Sequence, residues 1–101
     1  MQYLGGLQGK GRLIRGGETF ARAEYDLEGF ITKAGHMTGS GEIRAAPAEM
    51  REMFALGTVK LLTDDGRLMS LRFTQKKLSS NDSAAHVDVI GELPPIAAWH
   101  H

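Results

Sequence analysis

The stretch Val59-Lys60-Leu61-Leu62-Thr63-Asp64-Asp65-Gly66-Arg67-Leu68-Met69-Ser70-Leu71-Arg72-Phe73 constrains the fold more than any other part of the chain. Asp-Gly between two apolar runs is a strong hairpin signal, and here the apolar pattern also selects the turn. A two-residue turn on Asp65-Gly66 would set Leu62 opposite Met69 and Lys60 opposite Leu71, mixing apolar and charged side chains on one face. A three-residue loop, Asp64-Asp65-Gly66 with Gly66 left-handed, sets Leu61 opposite Met69 and Val59 opposite Leu71. Val59, Leu61, Met69, Leu71 and Phe73 then share one face. A slip of one residue would invert every side chain, so the pattern fixes the register. The expectation is an antiparallel β domain with one dry face.

The rest of the chain extends this pattern. Residues 7–15 alternate Leu7, Gly9, Gly11 and Leu13 against Gln8, Lys10 and Arg12, a first strand ended by Gly16-Gly17. Residues 19–32 form a longer strand, with Ala21, Ala23, Tyr25, Leu27 and Ile31 on one parity and Arg22, Glu24, Asp26 and Glu28 on the other. Gly29 inside it reads as a bulge or bend. After a turn at 33–36, residues 37–45 set Met37, Gly39, Gly41, Ile43 and Ala45 against Thr38, Ser40, Glu42 and Arg44. Small residues on the dry face of all three strands suit a tightly coiled barrel, where strands bend over one another.

The period then changes. From Pro47 to Leu56, Met50, Met53 and Phe54 recur at helical spacing, with Pro47 in the first turn and Gly57 just past the end. Ala46 is a poor N-cap. A helix this short is not stable alone, so its Met/Phe face must close one end of the sheet. A polar loop at 79–83 leads to a last strand from Ala84 to Leu93, with Ala85, Val87 and Val89 inward and His86, Asp88 and Ile90 outward. Pro94-Pro95 stops it.

The fold expected is therefore mainly β: a small six-stranded antiparallel barrel or half-barrel over residues 1–95, with one short helix at residues 47–56 and a C-terminal tail at 96–101. The order β-β-β-α-β-β-β resembles that of the oligonucleotide/oligosaccharide-binding barrel with one further strand. That likeness is one of architecture and carries no function. Six-stranded PilZ barrels bind cyclic di-GMP through an RxxxR arm and a D/N-x-S-x-x-G motif. Here Arg12-Leu13-Ile14-Arg15 is one residue short, and Asp26-Leu27-Glu28-Gly29 lacks the Ser and its spacing.

Composition narrows function by exclusion. The chain of 101 residues has no cysteine, which removes disulfides, thiol nucleophiles and Cys-ligated metal centres. Twelve basic and twelve acidic residues cancel, so no global field draws the chain to nucleic acid or to an anionic membrane. There is no signal-peptide pattern in Met1-Gln2-Tyr3-Leu4-Gly5-Gly6-Leu7 and no apolar run long enough to span a bilayer. The expected setting is cytoplasmic, without membrane contact and without a cofactor.

Several constellations invite chemistry. Glu24, Asp26 and Glu28 put three carboxylates on one strand face, about 6–7 Å apart in succession, a row that suits a divalent cation or acid–base work, but the solvated outer face of an antiparallel sheet is the preferred reading. His86 and Asp88 share a face and are the weak metal candidates, but a pair is only half a site. Gly9-Lys10-Gly11 and Gly39-Ser40-Gly41 do not precede a helix, so they are strand glycines and not phosphate cradles. Lys10, Arg12, Arg15, Lys76 and Lys77 form a basic set, with Phe20 and Phe30 as outward stacking candidates; basic and aromatic residues on one face would bind single strands. Met50, Met53, Phe54 and Met69 read as core. Trp99 either anchors a partner or folds back with Ile96 over the open end of the barrel.

No nucleophile–base pair or complete metal set can be assembled, so a metal-dependent enzyme ranks third. The leading expectation is a non-enzymatic binding module for a protein partner or for itself, with Trp99, Arg12, Lys76, Lys77 and Phe30 as candidate contacts. The alternative is a binder of a small ligand or single-stranded nucleic acid on a barrel face, nucleic acid being disfavoured by the zero net charge.

Overall fold

The computed structural model describes residues 1–79 and 81–100; Ser80, in the expected polar loop, and His101, in the expected tail, lie outside the described residues. Six strands, β1 (Gln2–Arg15), β2 (Glu18–Ile31), β3 (Met37–Arg44), β4 (Thr58–Thr63), β5 (Leu68–Phe73) and β6 (Ala84–Ile90), close into a barrel in the ring order β1-β2-β3-β6-β5-β4. One helix, α1 (Pro47–Leu56), joins β3 to β4, and a 3₁₀ turn covers Ile96–Ala98. Every neighbouring pair is antiparallel. Strand direction must alternate around such a ring, which requires an even number of strands; the sixth strand satisfies this.

The β4–β5 hairpin has the register its sequence dictates, with Val59 opposite Leu71 and Leu61 opposite Met69. Its loop is Asp64-Asp65-Gly66: the Thr63 N–H donates to the Arg67 carbonyl at 2.8 Å, and Gly66 takes φ +92°. A side chain at position 66 would be strained, so the Asp-Gly pair decides the loop type. Thr63 is the one buried polar residue named among the described ones, and its hydroxyl hydrogen-bonds Asp65 and accepts from the Arg67 N–H at 2.8 Å.

Three local expectations are corrected. The first strand begins at Gln2 and not at Leu7, because the ladder with β2 continues past a register shift between Tyr3 and Gly5. The last strand stops at Ile90 and not at Leu93, where Gly91 takes φ +73°. The bulge expected at Gly29 lies across from it, at the register shift between Tyr3 and Gly5 of β1, while Gly29 itself pairs with Gly5 and Gly39. Its missing side chain makes room for Trp99, since a Cβ there would lie 2.7 Å from the indole.

The lumen is packed. Leu13, Leu27, Ile43, Leu61, Leu71 and Val87 are fully buried and come from all six strands. Small residues let the walls approach: a Cβ on Gly41 would lie 2.8 Å from the Leu27 Cα, so β2 and β3 meet backbone to backbone there. One end is closed by α1, whose Met50 and Met53 are fully buried and whose Phe54 packs edge-on against Phe73 at 5.4 Å. Ala46 offers no side-chain cap, while Gly57 (φ +80°) ends the helix with its N–H donating to the Phe54 carbonyl. The other end is closed by Trp99, only 5 % exposed.

Candidate functional site

With the lumen filled and both ends plugged, the outer wall is the surface left for function. The register lays out its side chains row by row. Across β1, β2, β3 and β6 one row reads Gln8, Asp26, Glu42, His86, and the next reads Lys10, Glu24, Arg44, Ala84. These rows line an open depression of about 320 Å³, formed by Gln8, Gly9, Lys10, Glu24, Tyr25, Asp26, Glu42 and Arg44. A second, of about 420 Å³, shares Lys10, Glu24 and Arg44 and adds Arg22 and Ser83. Their charges are mixed: Arg44 bridges Glu42 at 2.9 Å, and the Gln8 side-chain amide donates to Asp26 at 3.2 Å. The carboxylate row of β2 is thus an exposed outer face in which Glu24 lies between Lys10 and Arg44, as cross-strand pairing favours, Asp26 lies between Gln8 and Glu42, and Glu28 between Gly6 and Ser40.

The opposite wall differs. The register that turns Leu61 and Met69 inward turns Leu62 and Leu68 outward as a directly opposed pair. Beside them run Ile14 opposite Lys60, Lys60 opposite Ser70, and Ser70 opposite Ile90. Leu68 is 56 % exposed, and Leu56, where α1 ends, is 51 % exposed. Ile14, Leu56, Lys60, Ser70 and Ile90 line one open hollow of about 400 Å³. The outer wall of β1, β4, β5 and β6 therefore carries exposed apolar side chains interleaved with Arg12, Lys60 and Ser70.

An ion pair joins the two walls. Arg22 of β2 reaches over β1 to the hairpin loop and holds Asp64 through two bonds, at 2.9 and 3.0 Å. That contact raises the Arg22 guanidinium further above its ordinary range and holds the Asp64 carboxyl below its own. Burial pushes the Tyr25 phenol up, with Asp65 acting in the same direction.

The residues singled out from sequence are scattered. Arg12 lies on β1, two strands away in the ring from β5, after which Lys76 and Lys77 lie exposed in the connection to β6. Phe30 faces outward but packs on Tyr3 at 5.4 Å, near the start of β1, about 30 Å along the strand from Arg12. Phe20 is half-buried under the Arg15 guanidinium, 4.2 Å from its ring centre. The basic and aromatic candidates do not form one surface. His86 Nδ1 is hydrogen-bonded to Thr74 Oγ1 at 2.7 Å, while Asp88 faces Arg72 at 3.8 Å, so that pair is divided between different partners. Among the described residues no three His, Cys, Asp or Glu side chains gather as a metal set. Trp99 lies inside its own barrel end. The residues that sequence reasoning passed over are Leu62, Leu68, Ile14 and Leu56; the hairpin register itself signals the first two.

Comparison with family models, with curated proteins and with solved structures finds no match. Among the described residues no helix is long and apolar enough to cross a membrane. What the fold defines is a class, the small closed antiparallel β-barrel.

Proposed function

We propose that this protein is a non-enzymatic binding module that docks a protein partner or a second copy on the outer wall of β1, β4, β5 and β6. The observation that supports this reading is the outward, directly opposed Leu62–Leu68 pair, with Leu68 56 % exposed, Arg12 beside Leu62, and Ile14 and Ile90 in the next row on either side of Lys60 and Ser70. Single exposed apolar residues are ordinary on any surface, but several on one wall with charge among them suit an interface. Arg12 and Lys60 between them favour a partner that sets acidic groups beside apolar ones. A cytoplasmic setting belongs to the same proposal, in keeping with a chain free of cysteine.

A second reading rests on the mixed-charge depression over β1, β2 and β3, which suits a small ligand carrying both signs of charge. One experiment separates the two. Self-association is followed by sedimentation, and partner retention by pull-down, for the wild type, for Leu62→Glu/Leu68→Glu, and for Glu24→Lys/Arg44→Glu. The docking proposal expects association to be lost only in the leucine variant, with the fold intact by circular dichroism. Association that survives in the leucine variant when Trp99→Ala is added, so that the C-terminal segment contributes nothing, overturns it.

A further inference from the structure

The segment after β6 has a feature independent of the outer wall: three of its N–H groups find their acceptors within the segment. The Ala98 N–H donates to the Pro95 carbonyl at 2.9 Å and the Trp99 N–H to the Ile96 carbonyl at 3.2 Å. The indole N–H donates to the Pro94 carbonyl at 3.3 Å, so even the buried ring takes its partner from its own segment. The 3₁₀ turn contributes no buried residue, and Ile96 is 54 % exposed. The segment is a small, internally bonded unit carrying one apolar plug.

It is joined to the barrel at two points. One is the backbone pair between His100 and Gly6, with N–H···O distances of 2.9 and 2.6 Å, an added strand residue on an edge that β4 covers only from Gly11 to Ile14. The other is the indole slot. Gly29 and Gly39 oppose each other across β2 and β3, and a Cβ on either would lie 2.7 or 3.2 Å from the ring, with Val89 alongside. The indole lies against the stretch of wall that these two glycines leave bare. The ring of six strands closes without any residue of this segment. Gly91 and Pro94-Pro95 form the connection, and prolines hold such a link extended.

We propose that residues 94–100 are a transferable docking segment, that the Gly29/Gly39 slot with the Gly6 edge is its receptor, and that two copies of the chain exchange these segments reciprocally. The ligand class is a short peptide that closes a 3₁₀ turn and whose Trp immediately precedes a residue that pairs through its backbone. Recognition by an edge strand plus a side-chain pocket is a general mode of peptide binding, and reciprocal exchange of an element is a low-cost route to a dimer.

The full-length Trp99→Ala variant contains no tryptophan, so a synthetic peptide of residues 94–100 supplies the only indole in a mixture with it. Its emission should shift to the blue and its anisotropy should rise saturably with the variant, and should do neither with Trp99→Ala/Gly29→Val. Exchange between copies is read by mixing Trp99→Ala, which can only accept, with full-length Gly29→Val, which can only donate. With Leu62→Glu/Leu68→Glu added to both, so that the outer wall contributes nothing, a dimer should sediment from the mixture and from neither variant alone. A peptide that keeps its aqueous emission throughout, or a mixture that stays monomeric, overturns the proposal, as does a shift that depends on Leu62 and Leu68 in place of Gly29. Should Trp99→Ala fail to fold, the wild type carrying 5-fluorotryptophan is titrated with unlabelled peptide. A second fluorine resonance should grow in, and a single unchanged resonance overturns the exchange.

Discussion

The barrel is stoppered twice, and the two stoppers are built differently. At one end α1 is held between β3 and β4, so its Met50 and Met53 are tethered from both sides. At the other end one indole sits on a segment joined by a backbone pair and a slot. Met50, Met53 and Trp99 belong to one buried core. The helix side chains are tethered through both neighbouring strands, whereas the indole sits on a segment tethered to the sheet from one side only. A small barrel can thus hold its two stoppers with unequal covalent security at opposite ends.

Three substitutions or conditions test that contrast, from the largest effect down. Met53→Ala should cost roughly 2–5 kcal/mol, as lost transfer plus a cavity. The midpoint of denaturant unfolding should fall with an unchanged slope, since the whole barrel unfolds as one unit. Gly29→Ala places a methyl against the ring and should cost roughly 1–3 kcal/mol through overpacking. Here Trp99 emission should move to the red at denaturant concentrations where circular dichroism still reports an intact barrel. Were Gly29→Ala to destabilise the barrel more than Met53→Ala, or the two signals to coincide, the ends would not differ as described.

The smallest effect lies away from both plugs. Asp64 is held below its ordinary pKa by Arg22, so the folded value lies under the unfolded one, near 3.9. Its contribution is full at neutral pH and is lost as pH falls through the acid range below about 4. The protection of the Gly66 amide, its exchange measured against the intrinsic rate at each pH, should fall over that range in the wild type. In Asp64→Asn it should already be low at neutral pH and show no such change. Trp99 emission should not follow that transition.

How much of this was legible beforehand depends on where the information lies. The hairpin register was readable because both strands alternate and only one loop length aligns their dry faces. The helix was readable from Pro47, Gly57 and the spacing of Met50, Met53 and Phe54. The start of β1 was not: Leu4-Gly5-Gly6 has no alternation, and the ladder there is set by β2. The role of Gly29 was hidden, since a glycine in a strand does not announce which side chain will lie on it, and Trp99 is 70 residues away. The outward leucines were implied by the register yet carried no weight, because a lone Leu on a surface is unremarked until its neighbours are known.

The ring order also dictates how the chain must assemble. The seam between β1 and β4 joins Leu13 to Leu61, and that between β3 and β6 joins Gly39 to Val89. Until residues near 60 are in place β1 has an open edge, and until those near 90 are in place so has β3. Such distant pairings place a small β domain at the slow, millisecond-to-second end of folding rates. Throughout that interval the waiting edges expose Lys10, Arg12, Glu42 and Arg44, and charged residues on an open edge discourage pairing with a neighbouring chain. The charge that decorates the finished wall thus guards the nascent sheet against aggregation while the barrel is still unclosed.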